Sequence, residues 1–172
     1  MAKKIQYRAL RDMSYGLYVL TSYDEDCLNG QIINSVTQVT NDPVRLAITV
    51  NKNNLTHELI SKSRVFAISV LGSSTPKSFL QLYGFMSGRD VDKLANVQYK
   101  EGVTGCPVIE ENALSVIEAG VFKEIDLGTH TLFIGNALAS KVFGKGPSLT
   151  YRYYQDELNG RISANAPTFL PA

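Results

Sequence analysis

Residues 34–40 read NSVTQVT, a β-branched stretch that predicts a strand with two unusual faces. Successive side chains of a strand point to opposite sides of the sheet, so residues 34, 36, 38 and 40 share one face and residues 35, 37 and 39 the other. Each face mixes polar side chains with valine, and neither is a plain core face. The Asn41-Asp42-Pro43 sequence that follows is typical of a turn, so the strand is expected to end there.

Five more short segments rich in β-forming residues flank this strand. They comprise residues 17–21, 46–50, 65–71, 114–122 and 131–139, and the polar strand itself extends over residues 31–40. Six strands at hairpin-like spacing predict a mostly antiparallel sheet that closes or stacks to protect its edges. Two short helices are predicted to connect strands, one over residues 56–62 and one that begins at Thr75-Pro76.

The composition indicates one ordinary domain, with 172 residues of which 44% are apolar and 19% charged. We expect a single domain over residues 1–172, with an irregular C-terminal tail at about 160–172 that lies along the surface or reaches a second subunit. Seventeen basic and 16 acidic residues give a net charge of +1. This balance provides no field that would attract nucleic acid or anionic lipid, so neither is an expected partner.

No segment predicts a membrane span or a metal centre. The apolar runs fall far below the roughly 18 to 20 residues that cross a bilayer, and the N-terminal residues lack a signal-peptide core. We therefore expect a cytoplasmic protein with no membrane partner. Cys27 and Cys106 have no CxxC or HxxxH companion, so we expect two small buried or half-buried thiols and no metal ligands.

Three polar segments each leave a functional and a structural interpretation open. Residues 51–56, NKNNLT, lead into the first helix and fit either a phosphate site or a capped surface turn. Residues 85–94, FMSGRDVDKL, fit either a functional loop or a solvated helix start. His130 stands in a turn before an apolar strand, where a lone histidine is usually structural or exposed. His57 is expected to be a solvated helix residue.

Taken in order, seven motifs resemble those of the flavin reductase-like family, whose members bind FMN in a split β-barrel. The resemblance covers about residues 13–154. Its motifs are YGLYVLT at 15–21, Asn29-Gly30, the strand 34–40 with Asp42-Pro43, Asn51-Lys52-Asn53 with Thr56, SGRDVDK at 87–93, GTHTLFIG at 128–135 and LTYRYY at 149–154. The last three are most similar to flavoredoxins and to the flavin domain of high-molecular-weight rubredoxins.

The chain departs from the family at two places. It carries Asp42-Pro43-Val44 where many members have two prolines, which should leave the turn intact. No rubredoxin-type CxxC iron site follows, so a built-in iron partner is absent from this sequence.

The resemblance implies a mainly β fold, a six-stranded antiparallel Greek-key split barrel with a few short helices. It also implies a homodimer with FMN near the subunit interface. Residues 34–38 would follow the edge of the isoalloxazine ring, and His130 would approach from the opposite side as the candidate catalytic residue. The implied cofactor-binding residues are Asn29, Asn34, Ser35, Val36, Thr37, Gln38, Lys52, Asn53, Thr56, Ser87, Gly88, Arg89, Lys93 and His130.

Within this implied site, Lys52, Asn53 and Thr56 would hold the phosphate, and Arg89 and Lys93 would flank the phosphate or the ring. A phosphate carries nearly two negative charges, and each charge-assisted hydrogen bond contributes about 1.5 to 3 kcal/mol.

Reduced flavin develops negative charge around N1 and the C2 carbonyl, and fixed hydrogen-bond donors stabilise that charge. The polar strand would supply such donors, and this explains why neither of its faces suits a core.

The leading functional hypothesis is an oxidoreductase, an NAD(P)H:flavin or acceptor reductase with NADH or NADPH as co-substrate. No GxGxxG sequence follows a strand, so the dinucleotide would fold against an exposed flavin face. Two alternatives remain open: a flavoredoxin-like electron carrier that exchanges electrons with redox proteins, and a split-barrel binding module with no redox role. Tyr153, Tyr154 and Phe169 would supply aromatic surface to the dimer interface.

Overall fold

The computed structural model describes residues 5–25 and 27–169, which form nine strands, three α-helices and one 3-10 helix. The strands are β1 Tyr18–Asp24, β2 Cys27–Ile33, β3 Val36–Asn41, β4 Val44–Asn51, β5 Val65–Leu71, β6 Tyr99–Glu101, β7 Pro107–Ile109, β8 Ala113–Asp126 and β9 His130–Val142. The helices are the 3-10 helix Tyr7–Asp12, α1 Leu55–Ser63, α2 Lys77–Phe85 and α3 Tyr151–Asp156.

Seven strands form one antiparallel sheet in the order β2-β1-β5-β8-β9-β4-β3, and β6 pairs with β7 in a separate hairpin. The sheet curls around one buried cluster of apolar side chains. Leu20 of β1 and Ile33 of β2 pack in the same buried cluster as Ile48 of β4, although these strands lie towards opposite ends of the strand order. Ile60 of α1 closes this cluster.

A second buried cluster joins α2 to the C-terminal part of the chain. Tyr83 of α2 packs with Leu17, Leu149 and Tyr154, and all four side chains are nearly inaccessible to solvent. Tyr154 therefore belongs to the core of its own subunit, so the expectation that it forms part of a dimer interface is wrong for this residue. Tyr153 and Phe169 are exposed.

The predicted fold class, mainly β and antiparallel with a few short helices, is confirmed. The described residues form nine strands where six were predicted, because residues 31–40 contribute to two strands and the short strands β6 and β7 were not predicted. The strand is interrupted at Asn34 and Ser35, between β2 and β3. There the Ser35 hydroxyl donates to the carbonyl oxygen of Thr49 at 2.9 Å. A side chain that bonds to a neighbouring backbone in this way interrupts a regular ladder.

The two predicted helices form, with altered beginnings. The N-cap of α1 is Asn54, and Thr56 lies buried inside the first turn. The N-cap of α2 is Pro76, whereas Thr75 donates its hydroxyl to the carbonyl oxygen of Gly72. Residues 86–98 form turns, so the helix start considered for residues 85–94 does not occur.

Residues 160–169 contain no helix or strand, and residues 170–172 of the predicted tail lie outside the described part. Cys27 is half-buried and Cys106 is buried, and both are free thiols.

Within the described ranges, no helix is long and apolar enough to cross a membrane. The same residues include no cluster of three or more His, Cys, Asp or Glu side chains that could hold a metal ion.

Candidate functional site

A cleft of about 230 Å³ opens beside the start of α1, between β2, the end of α2 and the C-terminal tail. Its walls come from β2, Asn51 with residues 53–55, residues 84–88 and the segment 161–167. We call residues 160–169 the C-terminal strap, because this segment forms one whole wall of the cleft. The cleft therefore depends on segments that are far apart in the sequence.

The lining of the cleft carries positive charge only. Lys93 and Arg161 are its charged residues, and among the described residues no Asp or Glu lines it. Amide side chains provide most of the other polar lining, and leucine, isoleucine and tyrosine side chains provide apolar surface. A site of this composition suits a partly apolar ligand that carries negative charge.

Lys93 is the most unusual of these residues, because its side chain is buried and only 5% exposed. Its ammonium nitrogen Nζ donates to the carbonyl oxygen of Gly30 at 2.9 Å. It makes no ion pair with any carboxylate in the described ranges. Burial lowers the pKa of Lys93 to about 8, since desolvation disfavours the charged form. An anion bound in the cleft would compensate for that desolvation.

Asn29, Thr56 and Gly88 meet at one end of the cleft. The Asn29 amide nitrogen donates to the Thr56 hydroxyl at 2.8 Å, and both side chains are buried. A Cβ atom at Gly88 would overlap the side-chain oxygen of Asn29, so this close approach requires glycine. The motif residues of β2, α1 and the 86–88 loop therefore converge, although Thr56 stands behind Asn29 and does not line the cleft.

Of the polar segment 34–38, the structure brings Asn34 to the cleft. The Asn34 amide nitrogen donates to the Thr168 hydroxyl of the C-terminal strap at 2.8 Å. Ser35 bonds to the β4 backbone, Val36 packs against the core of the sheet, and Thr37 and Gln38 are exposed outside the cleft.

Two of the predicted cationic residues are paired on the surface. The Lys52 ammonium lies 2.6 Å from a carboxylate oxygen of Asp126, and Arg89 pairs with Glu58. Neither cation lines the cleft, although Asn53 and Gly88, their neighbours in the sequence, do. In this structure the cationic part of the cleft is supplied by Lys93 and Arg161 instead.

His130 contacts the C-terminal strap and does not itself line the cleft. Its Nε2 atom lies 3.2 Å from the carbonyl oxygen of Asn165, and its Nδ1 atom lies 2.8 Å from the Thr129 hydroxyl. A carbonyl oxygen only accepts hydrogen bonds, so Nε2 carries a proton.

His57 is half-buried, so the expectation of a solvated helix residue is wrong. Its Nε2 atom lies 2.8 Å from the Thr131 hydroxyl. Burial lowers the pKa of His57, with the nearby Lys52 acting in the same direction.

Sequence reasoning missed the contribution of the C-terminal strap to the cleft. Arg161 and Asn165 reach it from a segment without periodicity, which predicts no position in the fold. One local signal was available, namely Gly160, which directly follows Asn159. A Cβ atom at Gly160 would overlap the ring of Tyr154, and Asn159 has a φ of 48°, so a tight turn folds the strap back.

The family model described as the flavin reductase like domain matches residues 10–160. The chain belongs to this family. Among curated relatives, the high molecular weight rubredoxin of Moorella thermoacetica is 41% identical over 94% of this chain and 71% of its own length. The ferric-chelate reductase (NAD(P)H) of Archaeoglobus fulgidus is 40% identical over 94% of this chain and 96% of its own length.

The flavin reductase like fold is also seen in a solved flavoredoxin from Methanosarcina acetivorans. That structure has a TM-score of 0.70 at 22% identity and covers 83% of this chain and 73% of the other. These findings confirm the resemblance to the flavin reductase-like family, to flavoredoxin and to high-molecular-weight rubredoxin. The predicted oxidoreductase class is confirmed by relatives named as reductases, among them the ferric-chelate reductase (NAD(P)H).

Proposed function

We propose that this member of the flavin reductase family binds FMN in the cleft and acts as an NAD(P)H-dependent oxidoreductase. One observation carries the proposal: the cleft contains a buried lysine that makes no ion pair with a carboxylate among the described residues. A buried ammonium in apolar surroundings is costly unless an anion or several acceptors compensate it. The phosphate or the reduced ring of FMN would provide that compensation.

The residues present fit FMN in chemical character. The ring system needs apolar walls and donors for its carbonyl oxygens, and the cleft offers Leu17, Ile33 and Tyr83 beside the amides of Asn29 and Asn34. The enclosed volume of about 230 Å³ is below the roughly 300 to 1,000 Å³ typical of ligand sites. Part of the cofactor would therefore stay outside the enclosed space, where a nicotinamide ring could stack on it.

Within the cleft, Lys93 would hold negative charge, and Asn53 and Ser87 would donate to the phosphate or the ribityl chain. Thr56 would act indirectly, because its hydroxyl orients the Asn29 amide. When bound, FMN would supply the acceptor for a hydride from NADH or NADPH. The task of the protein is then to position the two rings and to exclude water, and a catalytic triad is not required.

His130 has a positioning role in this proposal. Its hydrogen bond to the Asn165 backbone fixes the C-terminal strap against the cleft. A residue that transfers a proton must contact the reacting groups. The two ring nitrogens of His130 instead bond to Thr129 and Asn165, so the proposal gives His130 no proton-transfer role.

A homodimer is part of the proposal. Phe122, Ile125 and Leu138 are exposed on β8 and β9, on the side of the sheet that faces away from the core. The Arg45 guanidinium lies 4.0 Å from the centre of the Phe122 ring on that same outer face. An exposed apolar face rimmed by polar residues is typical of protein interfaces, and a second copy of this chain would cover it.

The expected cytoplasmic location also belongs to this proposal.

The test is anaerobic flavin titration followed by addition of a nicotinamide donor. We expect the purified protein to bind FMN more tightly than riboflavin, and NADH or NADPH to bleach the visible flavin band promptly. A bound flavin that keeps its spectrum with both donors would favour the electron carrier. Failure to bind FMN at all would favour a binding module with no redox role and would contradict the proposal.

A further inference from the structure

Arg161 stands out among the residues of the cleft because its guanidinium has no partner among the described residues. The guanidinium forms no hydrogen bond or ion pair within the described ranges, whereas the backbone carbonyl of Arg161 accepts a hydrogen bond from Tyr154. Arg64 and Arg89, in contrast, are each paired with a carboxylate. Arg161 is exposed at the mouth of the cleft, whereas Lys93 is buried within it.

The position of Arg161 is set by the fold of the C-terminal strap. The Gly160 amide donates to the carbonyl oxygen of Tyr154 at 2.9 Å, and the Tyr154 hydroxyl donates to the carbonyl oxygen of Arg161 at 2.9 Å. Tyr154 is itself buried in the core. The backbone on which Arg161 stands is therefore anchored to the interior, although its side chain faces solvent.

The far end of the strap is fastened by three further contacts. The Asn165 side-chain amide donates to the side-chain oxygen of Asn54 at 2.9 Å, and His130 bonds to the Asn165 backbone. Asn34 donates to Thr168. With both ends of the strap held, Arg161 is presented to the cleft by a fixed wall, and less conformational freedom is lost when it binds an anion.

We propose that Arg161 is a substrate-binding residue that binds the phosphate groups of the nicotinamide dinucleotide. This inference rests on the proposed function. If FMN occupies the interior of the cleft, the second substrate approaches from solvent, and its phosphates lie at the mouth where Arg161 stands. A guanidinium presents a planar set of donors that binds phosphate oxygens in pairs, so arginine suits this task better than lysine.

The test compares Arg161→Ala, Arg161→Lys and a control variant, Arg152→Ala. Arg152 is an exposed arginine on α3 that does not line the cleft. Three quantities are measured for each protein: the Kd for FMN, the KM and kcat for NADH and NADPH, and the rate of flavin reduction by 1-benzyl-1,4-dihydronicotinamide. That last donor carries the reactive ring without any phosphate.

For Arg161→Ala we expect the KM for the dinucleotide to rise about tenfold to a hundredfold, as for loss of a charge-assisted hydrogen bond, with little change in kcat. The Kd for FMN and the rate with the benzyl donor should stay within about twofold of wild type, since neither involves these phosphates. Arg161→Lys should recover part of the loss, and Arg152→Ala should behave as wild type.

The inference is overturned if Arg161→Ala leaves the dinucleotide KM unchanged. It is also overturned if the variant weakens FMN binding or slows the benzyl donor equally, because Arg161 would then act on the flavin or on the fold. A wild-type protein that binds FMN but reacts with none of the donors defeats the proposed reductase function, and this inference falls with it. The wild-type controls thus separate the two failures.

Discussion

The ammonium nitrogen of Lys93 lies 2.9 Å from the carbonyl oxygen of Gly30, inside a cleft whose lining shows no carboxylate among the described residues. A cation in this position is expected to attract an anionic ligand. We predict that Lys93→Met lowers the affinity for FMN by about tenfold or more, as for loss of a charge-assisted hydrogen bond. Fluorescence quenching of FMN measures the Kd. Lys77→Met, at an exposed lysine on α2, is the control and should retain wild-type affinity.

The same lysine predicts a pH dependence of stability in the protein without ligand. Burial lowers the pKa of Lys93 to about 8, whereas the unfolded chain keeps the lysine protonated up to about pH 10.4. Between these values the unfolded state binds more protons, so the free energy of unfolding rises with pH relative to that of Lys93→Met. The gain is at most about 3 kcal/mol, at about 1.4 kcal/mol per pKa unit. Urea denaturation of both proteins at about pH 7.5, just below the lowered pKa, and at about pH 10, near the upper end of this range, measures the gain. The same change of unfolding free energy with pH in both proteins would contradict the assignment.

Two substitutions at Thr56 distinguish the effect of its side-chain shape from the effect of its hydrogen bond to Asn29. Thr56→Val keeps the shape but leaves the buried Asn29 amide without its acceptor, which should cost about 1 to 3 kcal/mol of stability. The misplaced amide should also weaken FMN binding. Thr56→Ser retains the hydroxyl and should preserve the affinity. Urea denaturation and FMN titration of the two variants decide the point, and equal FMN affinity in both would show that the Asn29–Thr56 bond does not support the site.

Gly88 predicts a steric effect on the same amide. In Gly88→Ala the added methyl group overlaps the Asn29 side-chain oxygen, so the amide or the 86–88 loop must shift. We expect weaker FMN binding and a stability loss of about 1 to 3 kcal/mol. Gly144→Ala is the matched control, because a Cβ atom there meets no atom within 4 Å. The prediction fails if both variants bind FMN as the wild type does.

The outer face of β8 and β9 predicts the oligomeric state. Wild-type protein should sediment as a dimer, and Leu138→Asp should shift it towards the monomer because a carboxylate would be buried at the interface. Val103→Asp, at a residue that is 81% exposed in a turn, should remain dimeric. A wild-type monomer with full FMN occupancy would remove the dimer from the proposal.

Local sequence patterns predicted much of the fold because alternation of apolar residues reports directly on which strand face is buried. Residues 46–50 alternate in this way and lie within β4. Residues 65–71 coincide with β5 but form a mostly apolar run with four consecutive buried residues. Asn29-Gly30 is turn-like in composition, yet it lies inside β2, where pairing with β1 overrides the local preference. The β6–β7 hairpin was missed because its three-residue strands are too short for any period to register.

The site, like the fold, was predicted from the sequence only in part. Asn29, Asn34, Asn53, Ser87, Gly88 and Lys93 were all named from sequence motifs and all line the cleft. Lys52 and Arg89 were named in the same way, but surface carboxylates hold them elsewhere. A motif specifies residue types at a given spacing. It does not specify which carboxylate elsewhere in the fold will pair with a cationic side chain of the motif.

Sequence alone therefore determined the class of fold, the family and most of the polar residues around the cleft, since these depend on local periodicity and on motifs of a few residues. Tertiary structure decided which of them meet: Lys93 bonds to a backbone oxygen 63 positions away, and Asn34 bonds to Thr168 across 134 positions. Such contacts follow from how the curled sheet and the C-terminal strap close around the cleft. Burial, and with it the lowered pKa of Lys93, is a property of that closure and of no single segment.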